Sequence, residues 1–270
     1  MRIVSTMKTF LISLPQDEAR RKLLKGRFPE ASEAFEIVRA VDGRSMSARE
    51  YFQIAAPLYR SKGELLSPAE VGCALSHLEA YRQFLDTGEK MALILEDDIE
   101  GHDEDIRRIA RVAGQLDKDF LLCCGAQDGL RSRRWLFGKQ RSSSEPGVFT
   151  VNGHSYRQMW RTACYVLSRG MAADLLARQS AVLHKADDWA SLLKRSKGEV
   201  LFCDVLSHPA QHAGSSIEAE RTLLMSQAFE GRNKPVEDYF NYLMERFSLF
   251  RSIFLSMCGF LNGYRRIFRD

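Results

Sequence analysis

The chain lacks any pairing pattern among its cysteines. Six Cys, at 73, 123, 124, 164, 203 and 258, form no CxxC pair and no regular spacing. That argues against a zinc ribbon and against a disulfide framework, and for reduced thiols in a cytosolic compartment. Cys123 and Cys124 lie inside the apolar run FLLCC, where a buried strand accounts for them. Long apolar runs are also missing. The opening MRIVSTMKTFLISLP is split by Lys8 and has no small-residue cleavage site, so it reads as a first strand and not as a signal peptide. The longest charge-free stretch near the C-terminus, Ser252 to Tyr264, is too short to span a bilayer. There is no internal repeat and no large excess of one charge. A formal charge of +4 over 270 residues is too small and too unpatterned for a nucleic-acid binder.

The composition that remains, 45% hydrophobic and 27% charged, suits one large domain or a domain with an appendage. The charge excess is local. Arg246 to Asp270 holds five Arg and one Asp, hence +4, so the first 245 residues sum to zero. In that tail Phe247, Phe250, Phe254, Met257, Leu261 and Tyr264 fall on one helical stripe. Flanking arginines make it the pattern of a helix lying on anionic lipid, or of a helix packed on the main domain or in a dimer contact.

Residues 8–15 read as a strand and residues 15–28 as a helix with Pro15 near its first turn. A second strand at 34–41 closes in an Asp42-Gly43 turn. Ser67-Pro68-Ala69-Glu70 is a capping box that opens a helix ending at Gly88. MALIL (91–95) and DFLLCC (119–124) are apolar runs suited to buried strands, with an amphipathic helix between them at 103–116. Gly125 to Gly147 reads as a long polar loop carrying Arg131, Arg133, Arg134, Lys139 and Arg141. A strand (157–168), a helix (168–179), a short helix from Ala186 and a strand ending at His208 follow. The alternation of strand and helix predicts an α/β fold with a mostly parallel central sheet flanked by helices.

Four constellations carry chemistry. Glu96, Asp97 and Asp98 follow the run 91–95, at a strand end, where open α/β sheets bind ligands. Carboxylates there suit Mg²⁺ or Mn²⁺ with a diphosphate completing the shell, or else a solvated turn capping the next helix. HPAQHAGSSI (208–217) places His208, with Gln211 and His212, after a strand, as a further metal ligand or as a surface turn. In GCALSH (72–77), Gly72 inside a helix marks a close approach, and Ser76 and His77 are either ligand contacts or a satisfied polar core pair. In ADDWA (186–190), Asp187 and Asp188 beside Trp189 are either helix caps or a general base against a sugar hydroxyl.

In combination ISLPQDEARR, AVDGR, SPAEVGCALSHLEAYRQFL, LILEDDIE, CYVLSRGMAADLL, ADDW and HPAQHAGSSI resemble glycosyltransferase family 25, the lipooligosaccharide/lipopolysaccharide biosynthesis enzymes, in order from residue 8 to 217. The resemblance implies a GT-A-like catalytic domain over residues 1–230 and a basic helical tail over 231–270. It implies an inverting transferase that moves a hexose, commonly galactose, from a UDP-sugar to a glycan or lipid-linked acceptor with Mn²⁺ or Mg²⁺. Glu96, Asp98 and His208 would reach the metal, and Asp188, with Asp187 in reserve, would act as base. Ser13, Leu14, Arg20, Asp42, Gly43, Gly72, Ser76, His77 and Asp97 would frame the nucleotide sugar. The implied place is the cytoplasm, peripheral on the inner face of the membrane. A metal-dependent phosphohydrolase and a non-catalytic sugar-nucleotide-binding protein are the competing classes. The chain departs from its relatives at Ser13-Leu14 and in the Arg-rich loop.

Overall fold

Strand β1 (Lys8–Ser13) sends Phe10 and Ile12 into one hydrophobic core and Leu11 into another. The same two-sided burial runs through β3 (Met91–Glu96), with Ala92 and Ile94 on one side and Leu93 and Leu95 on the other. It recurs in β4 (Phe120–Gly125), which splits Leu121 and Cys123 from Phe120, Leu122 and Cys124. Strands apolar on both faces require cover on both. Helices α3 (Pro68–Asp86) and α5 (Arg169–Ala181) supply it on one face, and α1 (Glu18–Arg27) and α4 (Asp103–Ala113) on the other. Helix α2 (Ala48–Lys62) packs with α3, and α6 (Trp189–Leu192) is a single turn capped by Asp188. The computed structural model describes residues 7–141, 145–209, 220 and 259–268.

Among the described residues the remaining strands are β2 (Phe35–Arg39), β5 (Phe137–Gln140), β6 (Val148–Val151), β7 (Cys164–Ser168), β8 (Glu199–Leu206) and β9 (Arg265–Arg266). They form one sheet in the order β2-β1-β3-β7-β4-β8-β6-β5-β9. β2, β1 and β3 are mutually parallel, as are β4 and β8. β7 is antiparallel to both its neighbours, and β6, β5 and β9 alternate at the far edge. Five of the eight pairings are therefore antiparallel, which corrects the expectation of a mostly parallel sheet. The reason is the route of the chain after β4. It returns through short antiparallel strands, which need no helical crossover, and hydrophobic periodicity carries no information about strand direction.

Two other expectations change. Gly125–Gly147 is not a bare polar loop: it holds a 3-10 turn (Arg131–Trp135) and β5. Three of its arginines have structural partners. Arg133 lies 5.0 Å over the Phe268 ring, Arg134 5.4 Å over Trp135, and Arg141 is 2.6 Å from Glu199. The tail boundary at residue 230, most of the apolar stripe, and Gln211 and His212 lie outside the described residues. The described end of the tail places β9 on the sheet edge, with Ile267 and Phe268 packed on the core and Phe260 and Leu261 exposed. No helix among the described residues is long and apolar enough to cross a membrane.

Candidate functional site

The carboxyl ends of β1, β2, β3, β4 and β8 share one edge of the sheet with the amino end of the reversed β7. A cleft of about 890 Å³ opens there. Its walls carry Ser13, Leu14 and Arg20 from β1 and α1, Asp42 and Gly43 after β2, and Ser76 and His77 from α3. Glu96, Asp97 and Asp98 after β3, Asp187 before α6, and His208 after β8 complete the expected set. Gly72 and Asp188 are not on the walls.

The three consecutive carboxylates take three different partners. Asp97 points inward, 6% exposed. Its Oδ2 accepts from the Ser13 hydroxyl at 2.6 Å and its Oδ1 from Arg20 Nη1 at 3.1 Å. Burial pushes its carboxyl up, and Ser13 and Arg20 offset this only in part. Asp98 stands 3.5 Å from Arg20 and 3.4 Å from His208 Nε2 through its Oδ2. Burial opposes its charge, but His208 and Arg20 outweigh it and hold the carboxyl below its usual range. Burial likewise opposes the His208 imidazolium, and Asp98 outweighs that and raises it. The other Asp98 oxygen, Oδ1, is buried with no hydrogen-bond partner among the described residues. Buried acceptors are nearly always satisfied, and the same carboxylate meets an imidazole nitrogen through its Oδ2. An oxygen and nitrogen donor pair of this kind fits a divalent cation.

Glu96, expected to share that ion, is engaged elsewhere. Its Oε1 accepts from the Thr162 hydroxyl at 2.6 Å and lies 3.3 Å from His77 Nε2. Ser76 acts on the backbone, accepting from Val41 N–H at 2.8 Å and donating to the Gly72 carbonyl at 2.7 Å. Gly72 serves the close approach its sequence position suggests, and its neighbour is the Asp42 turn. A Cβ on Gly72 would lie 2.5 Å from Gly43 N and from Val41 O, and one on Gly43 1.8 Å from the Pro68 carbonyl. Asp42 itself is gripped by Arg44 at 2.7 Å, which holds its carboxyl low.

Asp188, the expected base, caps α6. It accepts from Ser191 N–H at 3.2 Å and lies 3.5 Å from Lys62 Nζ and 3.3 Å from His184 Nδ1. Burial opposes its charge, but His184, Ser191 and Lys62 bring its pKa down to about 2. Its neighbour Asp187 faces the cleft, where Oδ2 accepts from the backbone N–H of Arg161 at 3.2 Å.

Arg161 is the residue that sequence reasoning missed, because 157–168 reads as one strand. It stands before β7 with a left-handed φ of 66°. Its guanidinium donates to the carbonyls of Ala126 (2.8 Å) and Asp128 (3.0 Å). Burial lowers its pKa, against the pull of Asp128, Asp98, Glu96 and Asp187 around it. Arg20 and Arg161 thus supply the positive charge that the acidic run requires.

The model of glycosyltransferase family 25 (LPS biosynthesis protein) matches residues 6–190. The mouse inactive glycosyltransferase 25 family member 3 is 29% identical over 179 residues, 64% of this chain and 29% of that protein. The zebrafish procollagen galactosyltransferase 1 is 30% identical over 97 residues, 34% of this chain and 16% of that protein. Mouse procollagen galactosyltransferase 2 is 27% identical over 114 residues, 40% and 18%. The chain thus spans less than a third of the length of these relatives. Among solved structures, a UDP-glucose pyrophosphorylase complexed with UDP-glucose has 11% identity and a TM-score of 0.38, over 82% of this chain and 99% of that one. Because the family match runs unbroken from the start of β1 past the acidic motif to Asp187 and α6, the chain belongs to glycosyltransferase family 25.

Proposed function

We propose that the cleft transfers a hexose, galactose first among the candidates, from a UDP-sugar to a lipopolysaccharide or related glycan acceptor with inversion. The observation that carries this reading is the Asp98 carboxylate: its Oδ1 is buried with no partner among the described residues, and its Oδ2 lies 3.4 Å from His208 and 3.5 Å from Arg20. That is a cation site facing a basic wall, the pairing a diphosphate requires. The family description and the two galactosyltransferase relatives support the sugar and acceptor classes.

In this mechanism Asp98 and His208 would hold Mn²⁺ or Mg²⁺, which would supply positive charge against the departing diphosphate. Arg20 adds a fixed positive charge there and donates to Asp97 as its partner. The turn Asp42-Gly43 and the end of β1 at Ser13-Leu14 border the nucleotide side of the cleft. Asp187 accepts the acceptor's hydroxyl proton as its oxygen attacks the anomeric carbon, a role that the placement of Asp188 as a cap passes to its neighbour. Exposed Phe260 and Leu261, near Arg265, keep the tail as a contact to an anionic inner-membrane surface.

The test is a panel of nucleotide sugars with Mn²⁺, following nucleoside diphosphate with and without oligosaccharide acceptor. Acceptor-dependent release supports the transferase. Free phosphate or monophosphate would make the protein a hydrolase. Tight binding without release would make it a sugar-nucleotide-binding protein, the reading favoured by relatives named as inactive.

A further inference from the structure

Helix α3 presents Cys73 and His77 one turn apart, on the side that faces the cleft. Glu96, at the end of β3, meets them there. One donor atom from each, the Cys73 sulfur, a His77 nitrogen and a Glu96 oxygen, lie within 4.8 Å of one another. His77 Nε2 and Glu96 Oε1 are 3.3 Å apart.

The surroundings orient these donors. His77 is 2% exposed, and its Nδ1 is 2.8 Å from the Tyr165 hydroxyl, which donates onward to Tyr81 at 3.0 Å. Tyr165 and Glu96 thus hold the two ring nitrogens of His77, and a cation beside Glu96 takes the place of a proton on Nε2, which is 3.3 Å from Oε1. Tyr165 stands to His77 as an outer-sphere partner stands to a metal-bound imidazole, fixing tautomer and ring plane. Thr162, donating to Glu96 at 2.6 Å, does the same for the carboxylate.

We propose that Cys73, His77 and Glu96 form a site for a Zn²⁺-class cation, distinct in donor chemistry from the oxygen-rich position at Asp98 and His208. Sulfur, imidazole and one carboxylate are the donors that such ions favour, and three protein ligands leave a fourth position open to the cleft. Binding exchanges one proton for the metal: the Cys73 thiol, held protonated by burial, gives its proton to solvent as the sulfur–metal bond forms. The inference does not depend on the transferase reading, and its readout is not turnover.

The test is a Co²⁺ titration of the chelator-treated full chain, followed by absorption. One equivalent of Co²⁺ is expected to give a thiolate-to-Co(II) charge-transfer band and intense tetrahedral d–d bands, both removed by stoichiometric Zn²⁺. Cys73→Ser, checked for folding by circular dichroism, is expected to lose the charge-transfer band. Tyr165→Phe is expected to weaken Co²⁺ about tenfold or more while keeping the band's position. Asp98→Asn is expected to leave it unchanged. No charge-transfer band in the wild-type protein overturns the proposal, and so does a band that survives in Cys73→Ser.

Discussion

The division of labour among adjacent carboxylates is set at the level of single side chains. Glu96, Asp97 and Asp98 are consecutive, yet their oxygens go to Thr162, to Ser13 with Arg20, and to His208 with Arg20. β3 ends at Glu96 and the chain turns at Asp97 and Asp98, so a run that looks uniform in sequence serves separate sites. Asp98→Asn is expected to lower turnover about 10²- to 10³-fold with saturating Mn²⁺ and to weaken Mn²⁺ binding in calorimetry; wild-type turnover would remove the cation from Asp98. Asp187→Asn is expected to cost about 10²- to 10⁴-fold in kcat with KM for the donor little changed, whereas Asp188→Asn acts on stability. The folded-state pKa of Asp188, about 2, lies below the ordinary carboxylate value. Its stabilisation is therefore complete above the unfolded pKa and fades as pH falls from about 4 toward 2. Solvent screening leaves it on the order of 1–2 kcal/mol. Thermal melts should show Asp188→Asn less stable than wild type at pH 7, with the gap shrinking below pH 4 and closing toward pH 2. A constant gap would mean that the cap and not the charge matters.

Between elements, the contact that shapes the β2 side of the cleft is backbone on backbone. Gly72 on α3 and Gly43 in the turn after β2 leave no room for a Cβ on either side. Ser76 locks the same junction through Val41. Gly72→Ala must push the Asp42 turn away from α3. It is expected to cost about 1–3 kcal/mol in denaturant melts and to raise the donor KM more than it lowers kcat. If both parameters hold, the turn does not border the donor. Such helix signals were open to sequence reasoning: the capping box at Ser67–Glu70 forms as its spacing requires, and Gly72 marks a close approach. Helix α2, with its own box at Ser47–Glu50 and Tyr51, Ile54 and Leu58 against the core, carries Pro57 inside it, a residue that argues against a helix in sequence. Arg161 was hidden for another reason. Its left-handed backbone and its carbonyl partners after β4 are tertiary facts, with no local pattern to announce them.

For the whole molecule, the edge that holds the site was legible as a strand end followed by acids, and the residues brought to it come from eight separate segments. What could not be read was the order of strands, since burial patterns are the same for parallel and reversed neighbours in the middle of a sheet. The far end of the chain has a testable surface role. Phe260→Asp with Leu261→Asp is expected to reduce flotation with anionic vesicles while leaving sugar transfer to a soluble acceptor intact; undiminished flotation would exclude these side chains from the contact. The position of β7 has a consequence in time. Its Val166 pairs with Leu93 on one side and Leu122 on the other, both made long before it on the ribosome. Until residue 168 emerges, β3 and β4 have bare inner edges, the state in which chains stick to one another. The strand that fills the gap between β3 and β4 also carries Arg161 and Thr162 at its mouth. Refolding should therefore show helix recovered early and the cleft late, because the long loop from β3 must close before its wall exists.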